Sequence, residues 1–234
     1  FSGYSELTNA SLEEVRYLKR DFGSLDANQP FLAGDSPMTI AAAVTKLKEE
    51  SLQDTLSLLR RDRLQKAVRL LENGETIRVF AVSNLTFLAE EFVHKLRHTG
   101  IRAETYSTSN TMYQEAKMAT CRDCALCLSY SGETPELLRA ASLLRQNRVP
   151  LVVLSSVGEN SLTRMAAAVL QVATREKSYS KIGAFSSLES MALLLDILYS
   201  CLFAADYDRR YSYKINLSKA TEFRSIDNGV IREE

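Results

Sequence analysis

A regular alternation that begins after Gly74 constrains the fold more than any other feature of the sequence. Short runs rich in β-branched and apolar residues alternate there with segments that carry apolar residues at helical spacing. This pattern specifies a parallel sheet with helices packed on both faces. We therefore predict an α/β fold, a three-layer α-β-α sandwich whose five-stranded parallel sheet is preceded by helices. The predicted strands are 77–83, 102–106, 125–129, 150–155 and 168–173, and the predicted helices are 86–98, 110–119, 135–147, 161–167 and a strongly apolar 185–205.

The remainder of the chain divides at breaks in this pattern. Apolar residues at helical spacing predict a helical fragment at the start, and prolines, a glycine and turn-forming residues mark the linker that follows. The spacing slips near Asp62, so the next helical region is predicted as two helices. The polar end is predicted to be loop. The resulting boundaries are a fragment at 1–23, a linker at 24–37, connector helices at 38–73, the main domain at 74–215 and a tail at 216–234.

The composition of the chain gives no general argument for nucleic acid or a membrane as a partner. The 234 residues carry 29 basic and 29 acidic side chains, so net charge offers no argument for binding to nucleic acid or a membrane. No apolar run approaches the roughly 18 residues that a membrane span needs. Four cysteines with no disulfide pattern favour a cytoplasmic location. The chain begins at Phe1 without an initiator methionine, and we expect that a segment upstream is missing.

A hydroxyl-rich turn follows the third predicted strand. We call residues 129–134 the hydroxyl loop; it contains Ser129, Ser131, Gly132 and Thr134 and leads into Pro135. Proline is tolerated in a first helical turn, and Thr134 is the expected cap. Free amides at a helix start, together with hydroxyls, bind phosphate without any cation. The sequence therefore predicts an anion site here, flanked by the turns at 83–86 and 155–161, which follow the first and fourth strands.

Other chemistries find less support in the sequence. The lysine-containing phosphate loop, the dinucleotide G-x-G-x-x-G pattern and the G-x-S-x-G nucleophile turn are all absent. Cys121, Cys124 and Cys127 have metal-ligand spacing, but the third lies inside an apolar strand and no fourth ligand is near. His94 and His98 lie one turn apart without a third ligand. We predict no catalytic residue, no metal and no cofactor.

The segment Ser129-Tyr130-Ser131-Gly132-Glu133-Thr134, on the third strand of such a sheet, resembles the S-x-S-G-x-T loop of the sugar isomerase (SIS) domain. The resemblance covers about 74–210 and implies a flavodoxin-like fold that binds phosphosugars. Residues 36–73 resemble the connector of RpiR-family transcriptional regulators. The segment 1–7 resembles the one that follows the recognition helix of that family's helix-turn-helix domain, which makes 1–23 a remnant of that domain.

The resemblance implies a set of ligand contacts. Ser129, Ser131 and Thr134 would hold the phosphate, with the backbone of Gly132 and Glu133 helping. The other candidate ligand residues are Ser83, Asn84, Ser155 and Glu176. The first loop departs from the family's G-x-G-x-S pattern, because it reads Ala81-Val82-Ser83-Asn84-Leu85, so the identity of the ligand depends on this loop.

The preferred interpretation is that the chain belongs to a transcriptional regulator and is not an enzyme. Its SIS domain would sense a phosphorylated sugar and alter DNA binding by the N-terminal helix-turn-helix. Its expected partners are the sugar phosphate, DNA through the missing head, and further copies of the chain in a dimer or a tetramer, with no membrane. A phosphosugar isomerase or lyase that uses Glu176 or His94 as acid or base is the alternative. A third reading is a ligand-free dimerisation domain.

Overall fold

The structure is a computed structural model that describes residues 25–106, 108–223 and 230. The helical fragment and helix-turn-helix remnant predicted at 1–23 lie outside these residues. In chain order the elements are α1 (Pro37–Leu58), α2 (Arg61–Glu72), β1 (Ile77–Phe80), α3 (Leu85–Arg97), β2 (Ala103–Thr105), α4 (Ser109–Met118), β3 (Cys124–Leu128), α5 (Pro135–Gln146), β4 (Leu151–Ser156), a 3-10 turn (Thr163–Met165), β5 (Ala168–Val172), α6 (Phe185–Ala204) and α7 (Tyr207–Thr221).

The five strands form one parallel sheet in the order β2-β1-β3-β4-β5. β3 lies at its centre, and every residue of this strand is buried. A parallel strand covered on both faces is apolar throughout, which is why Cys124–Leu128 reads as a continuous apolar run. The predicted α/β class and the five-stranded parallel sheet are confirmed.

Helices cover both faces of the sheet and give the three-layer arrangement. Side chains of α2, α3 and α6 pack on one face together with Leu126 and Leu128 of β3. Those of α4 and α5 pack on the other face with Ala125 and Cys127. Alternate residues of the central strand therefore enter opposite cores, as the two-residue period of a strand requires.

Helix α1 belongs to the folded body of the domain. Its buried Ser51 hydroxyl donates to Ser186 Oγ of α6 at 2.7 Å, and Thr55 Oγ1 accepts from the amide of Ala173 at 3.0 Å. Glu50 accepts from the nearly buried Arg175 guanidinium at 2.7 Å. The predicted connector is thus fixed to β5 and α6. It consists of two helices, separated by the extended residues Leu59 and Arg60.

Most element boundaries agree with the sequence prediction to within one or two residues, and three elements differ more. β1 ends at Phe80, three residues early, because the chain turns into α3 through Ser83. The helix predicted at 161–167 is only a 3-10 turn, Thr163–Met165. The last predicted helix ends at 205 and the tail from 216 is predicted as loop, whereas the structure has a further helix, α7, that extends to Thr221. Aromatic rings at four-residue spacing contact one another around its start, at Phe203, Tyr207 and Tyr211.

Helix α6 is long and apolar enough to cross a membrane when judged by length and composition alone. A core helix of a folded domain meets the same test. Met191, Leu194, Leu198 and Leu202 of α6 are buried in the core on one face of the sheet, together with residues of α2 and α3. Packing within the described part of the chain therefore accounts for this face of the helix.

Candidate functional site

The strand order reverses between β1 and β3. The chain passes from β1 to β2 on one side and then returns to place β3 on the other side of β1. Loops at the carboxyl ends of two strands diverge at such a point and leave a crevice, which is the usual ligand site of open parallel sheets. The two loops here are 81–84 and the hydroxyl loop, 129–134. The predicted anion site therefore lies at the switch point.

Internal hydrogen bonds set the shape of the hydroxyl loop. Ser129 is buried, and its Oγ accepts from the amide of Gly132 at 3.1 Å. Ser131 is exposed, and its Oγ accepts from the amide of Glu133 at 3.2 Å. A hydroxyl that accepts a hydrogen bond still has its own proton to donate. Ser131 can therefore donate to an anion outside the loop while it holds the turn.

Gly132 is required by both conformation and space. Its φ is +68°, in the left-handed region that glycine adopts most readily. A Cβ atom built on Gly132 would lie 2.0 Å from Cγ of Asn160. Asn160 in turn is fixed, since its Nδ2 donates to Ser155 Oγ at 3.0 Å and its Oδ1 accepts from the amide of Thr163 at 3.0 Å. The loop after β4 thus packs directly on the backbone of the hydroxyl loop.

The amino end of α5 has no side-chain cap. Thr134 occupies the N-cap position, as the sequence predicts, but it makes no capping hydrogen bond. Its Oγ1 lies 3.2 Å from Ser129 Oγ instead. The first amides of a helix have no partner within the helix, and this end carries the positive pole of the helix dipole. The α5 mouth, meaning the first turn of α5 with Ser129, Ser131 and Thr134 around it, is therefore suited to an anion.

The Glu133 side chain points away from the α5 mouth. Its Oε1 accepts from the amide of Ser161 at 2.8 Å, and this backbone hydrogen bond holds the pKa of the Glu133 carboxyl below its usual value of 4.5. The interaction joins the hydroxyl loop to the loop after β4. Glu133 can contribute its backbone to an anion site, as the resemblance implies, while its carboxylate has a structural contact.

A pH dependence follows from this contact. A carboxyl whose pKa is depressed by folding adds stability above its unfolded pKa, and that stability is lost as the pH falls through the folded pKa. Glu133→Gln should therefore lower the urea midpoint at pH 7. The difference from wild type should shrink as the pH falls below about 4.5 and disappear below the depressed pKa of the folded state. Urea unfolding from pH 7 to pH 3 measures it. Glu159→Gln, in the same region, is the control, and a pH-independent difference would contradict the assignment.

The first loop, residues 81–84, contains a backbone conformation that glycine usually adopts, but a serine occupies the position. Ser83 has a φ of +56°, one of two non-glycine residues with positive φ in the described part of the chain. Its side chain and that of Asn84 are exposed beside the switch point, and the Ser83 carbonyl accepts from Thr86 N at 3.1 Å. The departure seen in sequence thus places a side chain at a position with left-handed backbone. Both residues remain ligand candidates by position.

The side chains of Ser155 and Glu176, both predicted as ligand contacts, are buried and engaged in hydrogen bonds within the protein. Ser155 is completely buried, and its hydroxyl is used by Asn160 and by the carbonyl of Tyr130, 3.4 Å away. Glu176, which is predicted to contact a sugar or act as a base, has a fully buried carboxylate. That carboxylate accepts hydrogen bonds at the start of α6 from the Ser186 amide at 2.5 Å, the Ser187 amide at 3.2 Å and the Ser187 hydroxyl at 2.6 Å.

Lys181 completes the environment of Glu176 and ties it to the hydroxyl loop. Its Nζ donates to Glu176 Oε2 at 2.9 Å and lies 4.9 Å from the ring centroid of Tyr130. Tyr130 Oη also donates to the Glu176 carbonyl at 3.0 Å and accepts from its amide at 3.2 Å. The sequence gives no sign of these roles for Lys181, Tyr130 and Asn160, since each depends on residues distant along the chain.

The histidines and cysteines lie outside this site. His94 is in the last turn of α3 and His98 is its C-cap, with the two ring centroids 4.0 Å apart and the ring planes tilted by 42°. Because α3 starts at the carboxyl edge of the sheet and runs back, its end lies at the opposite edge, so His94 is not brought to the hydroxyl loop. Cys124 and Cys127 are buried in β3; burial raises the pKa of the Cys124 thiol to about 12 and raises that of Cys127 as well.

The SIS domain family matches residues 70–201, which is more than half of the chain. The chain belongs to the SIS-domain family. The match includes all five strands, the hydroxyl loop and most of α6. It confirms the resemblance drawn from the S-x-S-G-x-T loop.

Relatives of this SIS-domain chain include regulators. An uncharacterised HTH-type transcriptional regulator of Haemophilus influenzae is 24% identical over 209 residues, which cover 89% of this chain and 72% of the relative. The same class of protein thus aligns with residues on both sides of the SIS match. These relatives agree with the predicted likeness to RpiR-family regulators.

Solved structures share the fold. The NanR protein of Vibrio vulnificus, complexed with ManNAc-6P, superimposes with a TM-score of 0.73 at 24% identity, over 80% of this chain and 69% of NanR. The sugar isomerase domain of an RpiR transcription factor from Sphaerobacter thermophilus gives 0.70 at 18%, over 77% and 98%. A sugar-phosphate isomerase homologue from Listeria monocytogenes gives 0.67 at 14%, over 78% and 98%. Regulators and isomerase-like proteins therefore share this fold.

Proposed function

We propose that this chain is the effector-sensing part of a cytoplasmic transcriptional regulator, and that its SIS domain binds a phosphorylated sugar. The observation that carries the proposal is the α5 mouth. It is a helix start with no side-chain cap, placed at the strand switch point and bordered by three hydroxyl side chains. Such a site stabilises a phosphate by backbone amides, hydroxyls and the helix dipole.

The likeness to regulators supports the choice of biological role. The Haemophilus influenzae relative is an HTH-type regulator, and NanR is a protein of the same fold whose complex contains a sugar phosphate. In the proposed mechanism, DNA is bound by an N-terminal helix-turn-helix head, and the effector changes the balance between two arrangements of subunits in a dimer or a tetramer.

A phosphosugar isomerase is the second candidate, favoured by the isomerase-like structural neighbours. It needs an acid or base next to the ligand. Glu176, one of the two residues predicted for that role, is buried beneath hydrogen bonds from α6 and Lys181, and His94 lies at the other edge of the sheet. We therefore expect no turnover of phosphosugars by this chain, measured by NMR of ManNAc-6P and of aldose and ketose phosphates over several hours.

A ligand screen tests the phosphosugar proposal. We expect one of a panel of hexose, hexosamine and N-acetylhexosamine phosphates, ManNAc-6P included, to raise the melting temperature, because a ligand at about 100 times its Kd adds about 2.7 kcal/mol to the stability of the native state. The unphosphorylated sugars should not do so. Ser131→Ala should weaken binding about 10-fold or more, since a hydrogen bond to a charged group contributes about 1.5–3 kcal/mol. Calorimetric titration measures the affinity.

Ser142→Ala is the matched control for this screen. Ser142 is an exposed serine of α5 whose hydroxyl donates to the carbonyl of Leu138 at 2.9 Å, two turns away from the α5 mouth. Its replacement should leave the affinity unchanged. Equal loss of affinity in both variants, or binding of sugars regardless of the phosphate, would place the ligand elsewhere.

A further inference from the structure

We propose that residues 26–31 form an intramolecular interface with the β5–α6 loop, residues 173–184, and that this interface is coupled to the α5 mouth through Tyr130. The proposal rests on the function proposed above, because it describes how occupancy of the anion site reaches the linker. It assigns a role to three features that phosphate binding does not itself use: the linker before α1, the side chain of Tyr130 and the pair Lys181–Glu176.

Asn28 holds the β5–α6 loop from the linker side. Its Oδ1 accepts from the amide of Lys177 at 2.7 Å, and its backbone carbonyl accepts from the amide of Ile182 at 3.0 Å. One residue thus binds the loop at two points, five residues apart. Asp26 orients Asn28, because Asp26 Oδ1 accepts from both the amide and the Nδ2 of Asn28 at 2.8 Å.

Apolar packing reinforces this contact. Ala27 is 4% exposed although it lies in an irregular segment. Pro30 is buried as well, and the ring of Phe31 meets that of Phe185 edge-on, with centroids 6.3 Å apart. Phe185 is the first residue of α6, the helix that Glu176 caps. Residues 26–31 therefore pack against the loop and against the start of the helix after it.

Tyr130 holds the same loop from the ligand side. It lies between Ser129 and Ser131, and its hydroxyl contacts both the amide and the carbonyl of Glu176. Lys181 lies over its ring and pairs with the Glu176 carboxylate. Two interfaces thus meet on one loop of twelve residues without helix or strand, at Glu176 and Lys181 from the hydroxyl loop and at Lys177 and Ile182 from Asn28.

The coupling follows from this arrangement. A phosphate that draws the Ser129 and Ser131 hydroxyls to itself acts on the backbone on both sides of Tyr130, and Tyr130 cannot move without changing its two hydrogen bonds to Glu176. The loop is the shared element that both sites bias, which is the physical requirement for linkage. Linkage is reciprocal. If ligand at the α5 mouth strengthens the contact between Asn28 and the loop by some factor, loss of that contact must weaken ligand binding by the same factor.

Hydrogen exchange on the 234-residue chain tests the coupling without any ligand. Tyr130→Phe keeps the ring and removes the hydroxyl. We expect the Ile182 amide, which is bonded to Asn28 and not to Tyr130, to exchange about three- to ten-fold faster, the factor for losing one ordinary hydrogen bond. Asn28→Ala should accelerate the Gly132 and Glu133 amides of the hydroxyl loop by a similar factor. Gln29→Ala, an exposed neighbour, should change neither.

Exchange that changes only at the direct partners of each mutated residue would overturn the coupling. Changes spread evenly over the whole chain, including the amides of β3, would do the same, because they would report global destabilisation. The contrast between Asn28→Ala and Gln29→Ala separates these outcomes.

A titration with inorganic phosphate and with ManNAc-6P tests the link to occupancy. In wild type the probe that binds should slow exchange at Ile182, and Asn28→Ala should weaken binding of that probe by the same factor. An unchanged affinity in Asn28→Ala, with ligand-dependent exchange confined to the hydroxyl loop, would overturn the proposal. If neither these two probes nor any phosphosugar of the panel binds wild type, the proposed function fails and the coupling to occupancy fails with it, whereas the ligand-free exchange still decides the interface between residues 26–31 and the loop.

Discussion

Replacing Gly132 by alanine should destabilise the protein by about 2–5 kcal/mol. The left-handed backbone costs a residue with a Cβ roughly 1–2 kcal/mol. Forcing an added methyl group into packed surroundings costs about 1–3 kcal/mol more. Here the methyl would overlap Asn160 at 2.0 Å, and Asn160 is held by Ser155 and Thr163. At roughly 2–4 °C per kcal/mol for a domain of this size, the melting temperature should fall by about 4–20 °C, measured by calorimetry.

Gly158→Ala separates the two contributions. Gly158 also has a positive φ, +105°, but a Cβ atom there would meet nothing within 4 Å. It should therefore show only the backbone strain, about 1–3 kcal/mol. In a double-mutant cycle, Gly132→Ala combined with Asn160→Ala should cost less than the sum of the single changes, because the second removes the obstacle of the first. Equal effects at Gly132 and Gly158 would contradict the close packing of Asn160.

The same pair of residues shows how far sequence reasoning reaches. The left-handed turn at Gly132 is predictable, because a local backbone requirement leaves a local residue signature, and the structure has a φ of +68° there. The contact with Asn160 depends on two loops 28 residues apart meeting over β3 and β4. No spacing rule along the chain encodes it.

The sheet was predictable for a related reason. Buried parallel strands must be apolar on both faces, so their number and order along the chain are visible as apolar runs, even though β1 is shorter than the run suggests. Helix boundaries that depend on single side chains were not predictable. The stretch after Asn160 forms only a 3-10 turn, where Asn160 Oδ1 accepts from the Thr163 amide and Thr163 Oγ1 accepts from the Asn160 amide.

The role of Glu176 illustrates a different limit. From sequence it is a carboxylate at the carboxyl rim of the sheet, which is where an acid or base would be placed. In the structure its partners come from α6, which begins nine residues later, and from Lys181. The intervening loop folds back so that the carboxylate meets the positive end of the helix. The position of a residue in the sequence predicts at which edge of the sheet it lies, but it does not predict which groups its side chain contacts.

Replacing Glu176 by glutamine should be the second large perturbation, about 3–5 kcal/mol, even though the two side chains have nearly the same shape. The change leaves the half-buried Lys181 ammonium without its counter-charge, and removing one partner of a buried ion pair has a cost of this size. It also places the NH₂ group of the glutamine against the Ser186 amide or the Ser187 hydroxyl, which in the wild type donate to carboxylate oxygens. Urea unfolding measures the loss, together with a fall in melting temperature of about 10 °C.

Glu189→Gln, in α6, is the control. Glu189 pairs with Lys48 at 2.7 Å, but both side chains are about one-third or more exposed, and such pairs contribute about 1 kcal/mol or less. The comparison distinguishes a structural from a ligand-binding role for Glu176. A structural Glu176 lowers stability without ligand present, because the start of α6 loses its anionic partner. If Glu176→Gln were as stable as Glu189→Gln and yet lost phosphosugar binding, the carboxylate would have to reach the ligand, and the hydrogen bonds to Ser186 and Ser187 would not describe its principal role.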